Sequence, residues 1–250
     1  MRSKSVKIQV SSNSYDLSIS DLMSALCCVF LLFLSVTIYR YNVQKSEYEA
    51  KNKLAAQYKD KQDDLLKAIE REFDRDKAQW NAEIAAVDGA IRIRFTNEAM
   101  MFEGGKTVLK PEFETVLSEF FGRLIKVVGS KEFCDDILEI RIEGHTMKVQ
   151  MEDVSAFQDY KRGMEISMGR TQNVLLFCLQ NIEMPYSIIG NQDAEQWIRE
   201  RIVAMGYSNS IPGETPEKSR RVEFKIRTRA ESVIDEIQKL DGIKVKGSKD

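Results

Sequence analysis

Asp21 stands directly before an uncharged run, Leu22 to Tyr39, that reads LMSALCCVFLLFLSVTIY. Burying an ionisable group at a membrane segment is expensive, so such a residue marks an ion path unless something local holds it there. Asp21 has both options. It can titrate, or it can close a capping box with Ser18 as N-cap and Asp21 at the third helical position. There its carboxylate satisfies helix-end amides at the positive end of the dipole. His145 is the single histidine. That removes a multi-histidine metal site, and a lone histidine at a strand end reads as a hydrogen-bonded structural residue. Cys27 and Cys28 lie inside the apolar run and behave as small hydrophobes. Cys134 and Cys178 lie in the more polar part, with no CxxC pair or Cys/His cluster beside them, so no metal site is expected. No nucleophile–base pair marks an enzyme, and no cofactor is implied.

These residues need elements to hold them. With Ile19 and Ser20 the apolar run approaches the ~20 residues that cross a bilayer core. Residues 18–41 therefore read as one transmembrane helix. The run exceeds the ~7–15 apolar residues of a signal peptide and ends in Tyr39-Arg40-Tyr41 without a small-residue cleavage site, which makes it an uncleaved anchor. Arg2, Lys4 and Lys7 keep residues 1–17 in the cytoplasm under the positive-inside rule, and Tyr39 and Tyr41 suit the outer interface. Residues 42–88 hold no glycine or proline and are rich in good helix formers. Leu54, Tyr58, Leu65, Ile69, Phe73, Trp80, Ile84 and Val87 recur mostly at fours and sevens, one helical stripe. The spacing predicts a helical stalk about 70 Å long. Phe73 and Trp80 are costly to leave in water, so the stripe calls for a parallel copy of itself, a homodimer. Asp88-Gly89 ends it.

From Gly89 the pattern changes. Ala90 to Phe95, Leu138 to Ile142, Tyr186 to Ile189 and Val222 to Ile226 read as strands. Phe113 to Val128, Ile166 to Leu179 and Gln196 to Met205 have helical spacing. Interleaved strands and helices place residues 89–229 in a domain of helices on a mixed sheet, and the fold class of the whole chain is α+β. The tail, 230–250, reads as helical as far as Leu240 and then turns polar. A net charge of -2 lacks the basic excess of a nucleic-acid binder, so no direct nucleic-acid partner is expected.

The segment Met101 to Pro111 (MFEGGKTVLKP) resembles the opening of the OmpA-like peptidoglycan-binding domain: a phenylalanine, a polar link, a leucine, then a proline starting the first helix. Ile140 to Thr146 (IRIEGHT) is similar to that family's second strand and G-H-T motif. Ile166 to Thr171 (ISMGRT) resembles its L-S-x-x-R-A segment, Gly206 through Pro212 its G-x(5)-P stretch, and Ser219 to Phe224 (SRRVEF) its N-R-R-V-E strand. The motifs occur in family order. The resemblance implies an OmpA-like α/β sandwich in which Thr146 and Arg170 hold the diaminopimelate of a wall peptide, Arg170 taking a carboxylate bidentately. Arg221 is a weaker candidate for a nearby contact. The family's aspartate for the ligand's ammonium group is replaced by Met147, and Asp153 or Asp159 is the candidate substitute. Gly163 stands where the family has asparagine. The alternative is that Arg170 pairs with a local acid and the site is a relict.

Asp21 to Leu26 (DLMSAL) resembles the D-F-M-T-A-M signature of stator B subunits, the MotB family. This implies a homodimer inside a ring of A-type (MotA-like) subunits, five to two. Asp21 would be the ion-translocating residue, with the chain in the bacterial inner membrane and the C-terminal domain in the periplasm on peptidoglycan. The lack of further acids in the apolar run favours H⁺ over Na⁺ as the translocated ion. The stiff linker is similar to that of stator-like B subunits of Zorya anti-phage systems. A flagellar stator, a passive envelope tether that would not need Asp21, and an ExbD-like energiser without the G-H-T and R-R-V-E motifs are the alternatives. In an oxidising periplasm Cys134 and Cys178 are candidates for a disulfide.

Overall fold

The computed structural model describes residues 13–87, 89–103, 105–148, 155–183 and 187–232. The chain divides into two units, Met1–Lys53 and Leu54–Asp250. Helix α1 spans Asn13–Phe73. Within the first unit the large apolar side chains from Ile19 to Tyr41 are exposed all round. An 18-residue window there has a mean hydropathy of 2.4, and this is a helix long and apolar enough to cross a membrane. The Ser35 and Thr37 hydroxyls donate to the carbonyls of Leu32 and Phe33, each at 2.8 Å, so these two polar groups are satisfied within the helix.

Two expectations fail in α1. The chain is already helical at Asn13, so Ser18 is not an N-cap and the capping box with Asp21 does not form. The helix also stops at Phe73 instead of running on to Val87. A tight turn follows, with Asn81 at φ 49°. Strand β1 (Ala82–Val87) then pairs antiparallel with β2 (Ala90–Phe95), Gly89 at φ 75° lying in the turn between them. Ladder pairing with β2 overrides the helix propensity of the alanine-rich segment. Four of the stripe residues have found a partner within their own unit. Leu65, Ile69, Phe73 and Trp80 are 0–3% exposed, and the Phe73 ring lies 5.1 Å from Phe120 and 5.9 Å from Trp80. The Arg123 guanidinium covers Phe73 at 4.9 Å and is pinned by Glu72 (2.8 Å) and Asp76 (2.7 Å).

After β2 come a short helix α2 (Glu98–Met101), α3 (Pro111–Val128), β3 (Ile137–His145) and α4 (Ala156–Asn181). A two-residue hairpin, β4 (Ile188–Ile189) with β5 (Gln192–Asp193), leads to α5 (Ala194–Arg201), β6 (Ile202–Gly206), α6 (Pro216–Ser219) and β7 (Arg221–Thr228). The main sheet has the order β1-β2-β7-β3-β6, antiparallel except for β3 with β6. Of the strand expected at Tyr186 to Ile189, Ile188 and Ile189 form β4 outside this sheet, and Tyr186 lies outside the described residues. The helix expected through Met205 ends at Arg201, because Ile202 to Gly206 fills the free edge of β3. The tail is helical over 229–232, and the remainder of the expected tail helix lies outside the described residues.

One face of the sheet is the core. Ile91, Ile93, Phe95, Ile140, Ile142, Val222, Phe224 and Ile226 are all at most 1% exposed beneath the helices. The Phe120 ring of α3 lies 5.3 Å from Phe95 and 4.9 Å from Phe224. The alternate positions carry charge: Arg92 and Arg94 on β2, Glu139, Arg141 and Glu143 on β3, Glu223, Lys225 and Arg227 on β7. Gly144 and Gly206 are register partners on β3 and β6. A Cβ on Gly144 would lie 2.7 Å from the Ser167 carbonyl, and one on Gly206 2.5 Å from Met168 Cγ. The paired glycines thus let α4 rest on the sheet backbone. Cys134 and Cys178, the two candidates for a disulfide, are both buried and free. Burial raises both thiol pKa values, which keeps them protonated and unreactive.

Candidate functional site

Asp21 lies within α1, at the start of the exposed apolar stretch. Its carboxylate is not engaged in capping. Asp21 is the one charged residue at the N-terminal edge of a stretch of membrane length.

The other candidates gather where β3, α4 and the segment after β6 meet. Beyond the sheet the chain keeps pairing: Tyr207 N–H donates to the Gly144 carbonyl (2.9 Å) and Thr146 N–H to the Ser208 carbonyl (2.8 Å). Helix α4 starts at a true capping box, in which Ser155 Oγ accepts from Gln158 N–H (3.2 Å) and Gln158 Oε1 from Ser155 N–H (3.1 Å). Its buried face carries Asp159, Gly163, Ser167, Arg170, Thr171, Val174 and Cys178 at helical spacing. Gly163 faces Thr146 and Ser208 so closely that a Cβ would sit 2.8 Å from Thr146 Oγ1 and 2.3 Å from Ser208 Oγ. Ser208, at φ 53°, donates its amide to Ser167 Oγ (3.1 Å) and its hydroxyl to the Tyr160 carbonyl (2.8 Å). Next to it Asn209 donates to Asp159 Oδ2 (2.7 Å).

The structure therefore brings Thr146 and Asp159 to one locus through Ser208 and Asn209. Thr146 Oγ1 is buried and has no hydrogen-bond partner. Arg170 lies about two turns beyond Gly163 on α4 and is 4% exposed. Its Nε donates to the Lys106 carbonyl (3.0 Å), and its guanidinium lies 4.6 Å from the Phe102 ring. Asn173 Nδ2 donates to the Thr107 carbonyl (2.8 Å), so α4 grips the Lys106-Thr107 backbone twice. Arg221 is also 4% exposed and serves the scaffold. It bonds Glu223 through Nε, and its Nη1 reaches the carbonyls of Ile211 (3.1 Å), Lys218 (3.4 Å) and Ser219 (3.4 Å), shaping the loop before β7. Asp153 lies outside the described residues.

His145 departs from the expectation of a hydrogen-bonded structural histidine. It is buried, it stacks on Tyr207 with centroids 5.3 Å apart at 7°, and neither ring nitrogen has a hydrogen-bond partner. Burial lowers its pKa and keeps the ring neutral, against the opposing pull of Glu143 and Glu223. Glu143 and Glu223 face one another across β3 and β7. Burial pushes the Glu223 carboxyl up, but the Arg221 and Arg94 guanidiniums outweigh it and hold the group below the ordinary range.

No protein-family model matches the chain. It is 34% identical over 231 residues to the Zorya protein ZorB of Escherichia coli (strain ATCC 8739), spanning 90% of this chain and 92% of that one. The chain belongs to the ZorB family. Solved structures similar to this ZorB-family chain include a MotB-like protein from Desulfovibrio vulgaris, 20% identical with a TM-score of 0.44, covering 72% of this chain and 99% of that one. The periplasmic domain of Helicobacter pylori MotB is 13% identical, with a TM-score of 0.41 and coverage of 64% and 90%. The cell wall anchor of the T6SS from Pseudomonas aeruginosa is 16% identical, with a TM-score of 0.42 and coverage of 64% and 97%.

Sequence reasoning missed Ser208, Asn209, Glu143 and Glu223 in this ZorB-family chain. The serine and asparagine follow β6, which was read as helix. The glutamates were visible as alternating strand positions, but their opposition depends on the β3–β7 register.

Proposed function

We propose that this chain is the B subunit of an ion-driven stator in a Zorya anti-phage defence system. Two copies sit within a ring of five A-type subunits in the bacterial inner membrane. The N-terminus is cytoplasmic, and residues 54–232 form a periplasmic domain anchored to peptidoglycan. Asp21 takes a proton from one side of the membrane and gives it up to the other. Neutralising a carboxylate in low dielectric removes an unfavourable charge, so the contacts of α1 with the ring change at each transfer. The membrane potential supplies about 2.3 kcal/mol per charge per 100 mV. On the wall side, Thr146 Oγ1 and Asp159 contact the peptide stem, while Arg170 holds the Lys106 carbonyl and contributes its guanidinium to the ligand's carboxylate.

The observation that carries this reading is the ZorB relationship over nine-tenths of the chain, together with an Asp21 not used as a cap in a membrane-length apolar helix. The test is phage plating of cells that co-express the neighbouring A subunit with either the wild-type chain or Asp21→Asn. Loss of protection at unchanged protein level is expected. Protection that survives the substitution refutes ion transfer through Asp21 and leaves a passive wall tether. Loss of swimming motility instead assigns the chain to a flagellar stator.

A further inference from the structure

We propose that Glu143, His145 and Glu223 form a binding site for a divalent cation of the zinc class, linking β3 to β7 on the charged face of the sheet. The donor atoms of the three side chains all lie within 4.8 Å of one another. The residues are 5%, 2% and 1% exposed. Tetrahedral ligands at ~2.1 Å from zinc are roughly 3.4 Å apart. His145 Nε2 and Glu143 Oε2 are already 3.8 Å apart, so side-chain shifts of about an ångström close the set.

Three features point to a cation. First, His145 presents two buried ring nitrogens without a hydrogen-bond partner, beside two carboxylates. A buried polar group in that state calls for a ligand. Second, Glu143 and Glu223 are direct cross-strand neighbours, an arrangement that like charges disfavour. Arg94 and Arg221 relieve only one side of the pair. Both donate to the same oxygen, Glu223 Oε1. The charge of Glu143 is met by the field of Arg141, by Tyr207 and by the His145 ring, without a guanidinium bond. Third, the backbone positions and the ring plane that carry the donors are set before any ion arrives. The strand register sets the glutamates, the two arginines hold Glu223, and the parallel stack on Tyr207 sets the plane of the imidazole.

The donor chemistry selects the ion. Glu143 brings a carboxylate without a guanidinium bond among the described residues, Glu223 keeps Oε2 clear of the two arginines on its Oε1, and the imidazole adds a nitrogen donor, a set that suits a dication. The imidazole favours zinc and its neighbours over calcium or magnesium. The site is independent of the wall-binding reading, although Thr146 follows His145 directly.

The test uses the full-length chain in detergent, purified without a polyhistidine tag, stripped with chelator and dialysed against Zn²⁺. Bound zinc per chain is compared for wild type, Glu143→Gln and His145→Asn; Glu223 is left intact because it holds two arginines. ¹⁵N-histidine labelling adds a second readout, because the chain has one histidine. The expected result is one equivalent of zinc in the wild type and none in either variant, with the imidazole signal moving on zinc addition and no longer titrating with pH. Zinc retained equally by both variants belongs elsewhere, for example to Cys27 and Cys28, and overturns the proposal. So does an imidazole that titrates unchanged in the presence of zinc, which makes the cluster a plain ion pair. If one variant fails to fold, the other and the labelled wild type decide.

Discussion

Phe73→Ala separates two accounts of the same residue. As a coiled-coil seam residue it would hold two chains together. In the structure it is core: 1% exposed, against Phe120 at 5.1 Å and Trp80 at 5.9 Å, beneath the Arg123 guanidinium at 4.9 Å. Truncating a buried phenylalanine costs about 3–5 kcal/mol. The cation–π contact adds ~0.5–1 kcal/mol at a part-exposed arginine, so the upper half of that range is expected. Leu54 belongs to the same sequence stripe but is 44% exposed, and Leu54→Ala should stay within about 0.5 kcal/mol. The assay is equilibrium urea unfolding of the full chain in mild detergent, followed by tryptophan fluorescence at two protein concentrations. Trp80 and Trp197 are both buried, so each reports on this domain. The Phe73→Ala loss should be the same at both concentrations, since it acts within one chain. A loss that shrinks as protein concentration rises, or equal losses from Leu54→Ala and Phe73→Ala, would refute the intramolecular account.

Further outcomes follow from the same geometry. Gly206→Ala places a Cβ 2.5 Å from Met168 Cγ and 2.7 Å from the Met168 backbone nitrogen. Lifting α4 off the sheet should cost about 1–3 kcal/mol, read as a lowered urea midpoint, and should weaken pull-down on isolated peptidoglycan because α4 carries the proposed wall contacts Asp159 and Arg170. Burial raises the Glu139 carboxyl pKa, but hydrogen bonds from Arg141 and Arg227 outweigh it and leave the group below its ordinary 4.5. The stability from such a group is present above the unfolded pKa and is lost as pH falls through the lower folded value. Glu139→Gln should therefore unfold more easily than wild type at pH 7, and the gap should close below pH 4.5 as unfolding is followed with pH. The intact mass of the native chain should not change on reduction, and Cys134 and Cys178 should take up a thiol reagent only after denaturant is added.

Much of this was legible in residue order alone. The uncharged run after Asp21 marks the membrane helix because crossing a bilayer depends on local composition and length, which need no partner. The strands at Ala90 to Phe95 and Val222 to Ile226 show their alternation because each buries one face. Thr146, Asp159 and Arg170 could be named from motif order and loop length. What failed depended on partners distant in sequence. The period of Leu65, Ile69 and Phe73 says that one face is buried, but a second copy and Phe120 of the same chain satisfy that demand equally well. Ala82 to Val87 and Ile202 to Gly206 are too short for periodicity to separate strand from helix, and only the open edges of β2 and β3 made them strands. The cluster of Glu143, His145 and Glu223 was hidden for the same reason. Sequence separation says nothing of cross-strand register, and it is the β3–β7 ladder that sets two carboxylates opposite each other beside the single histidine.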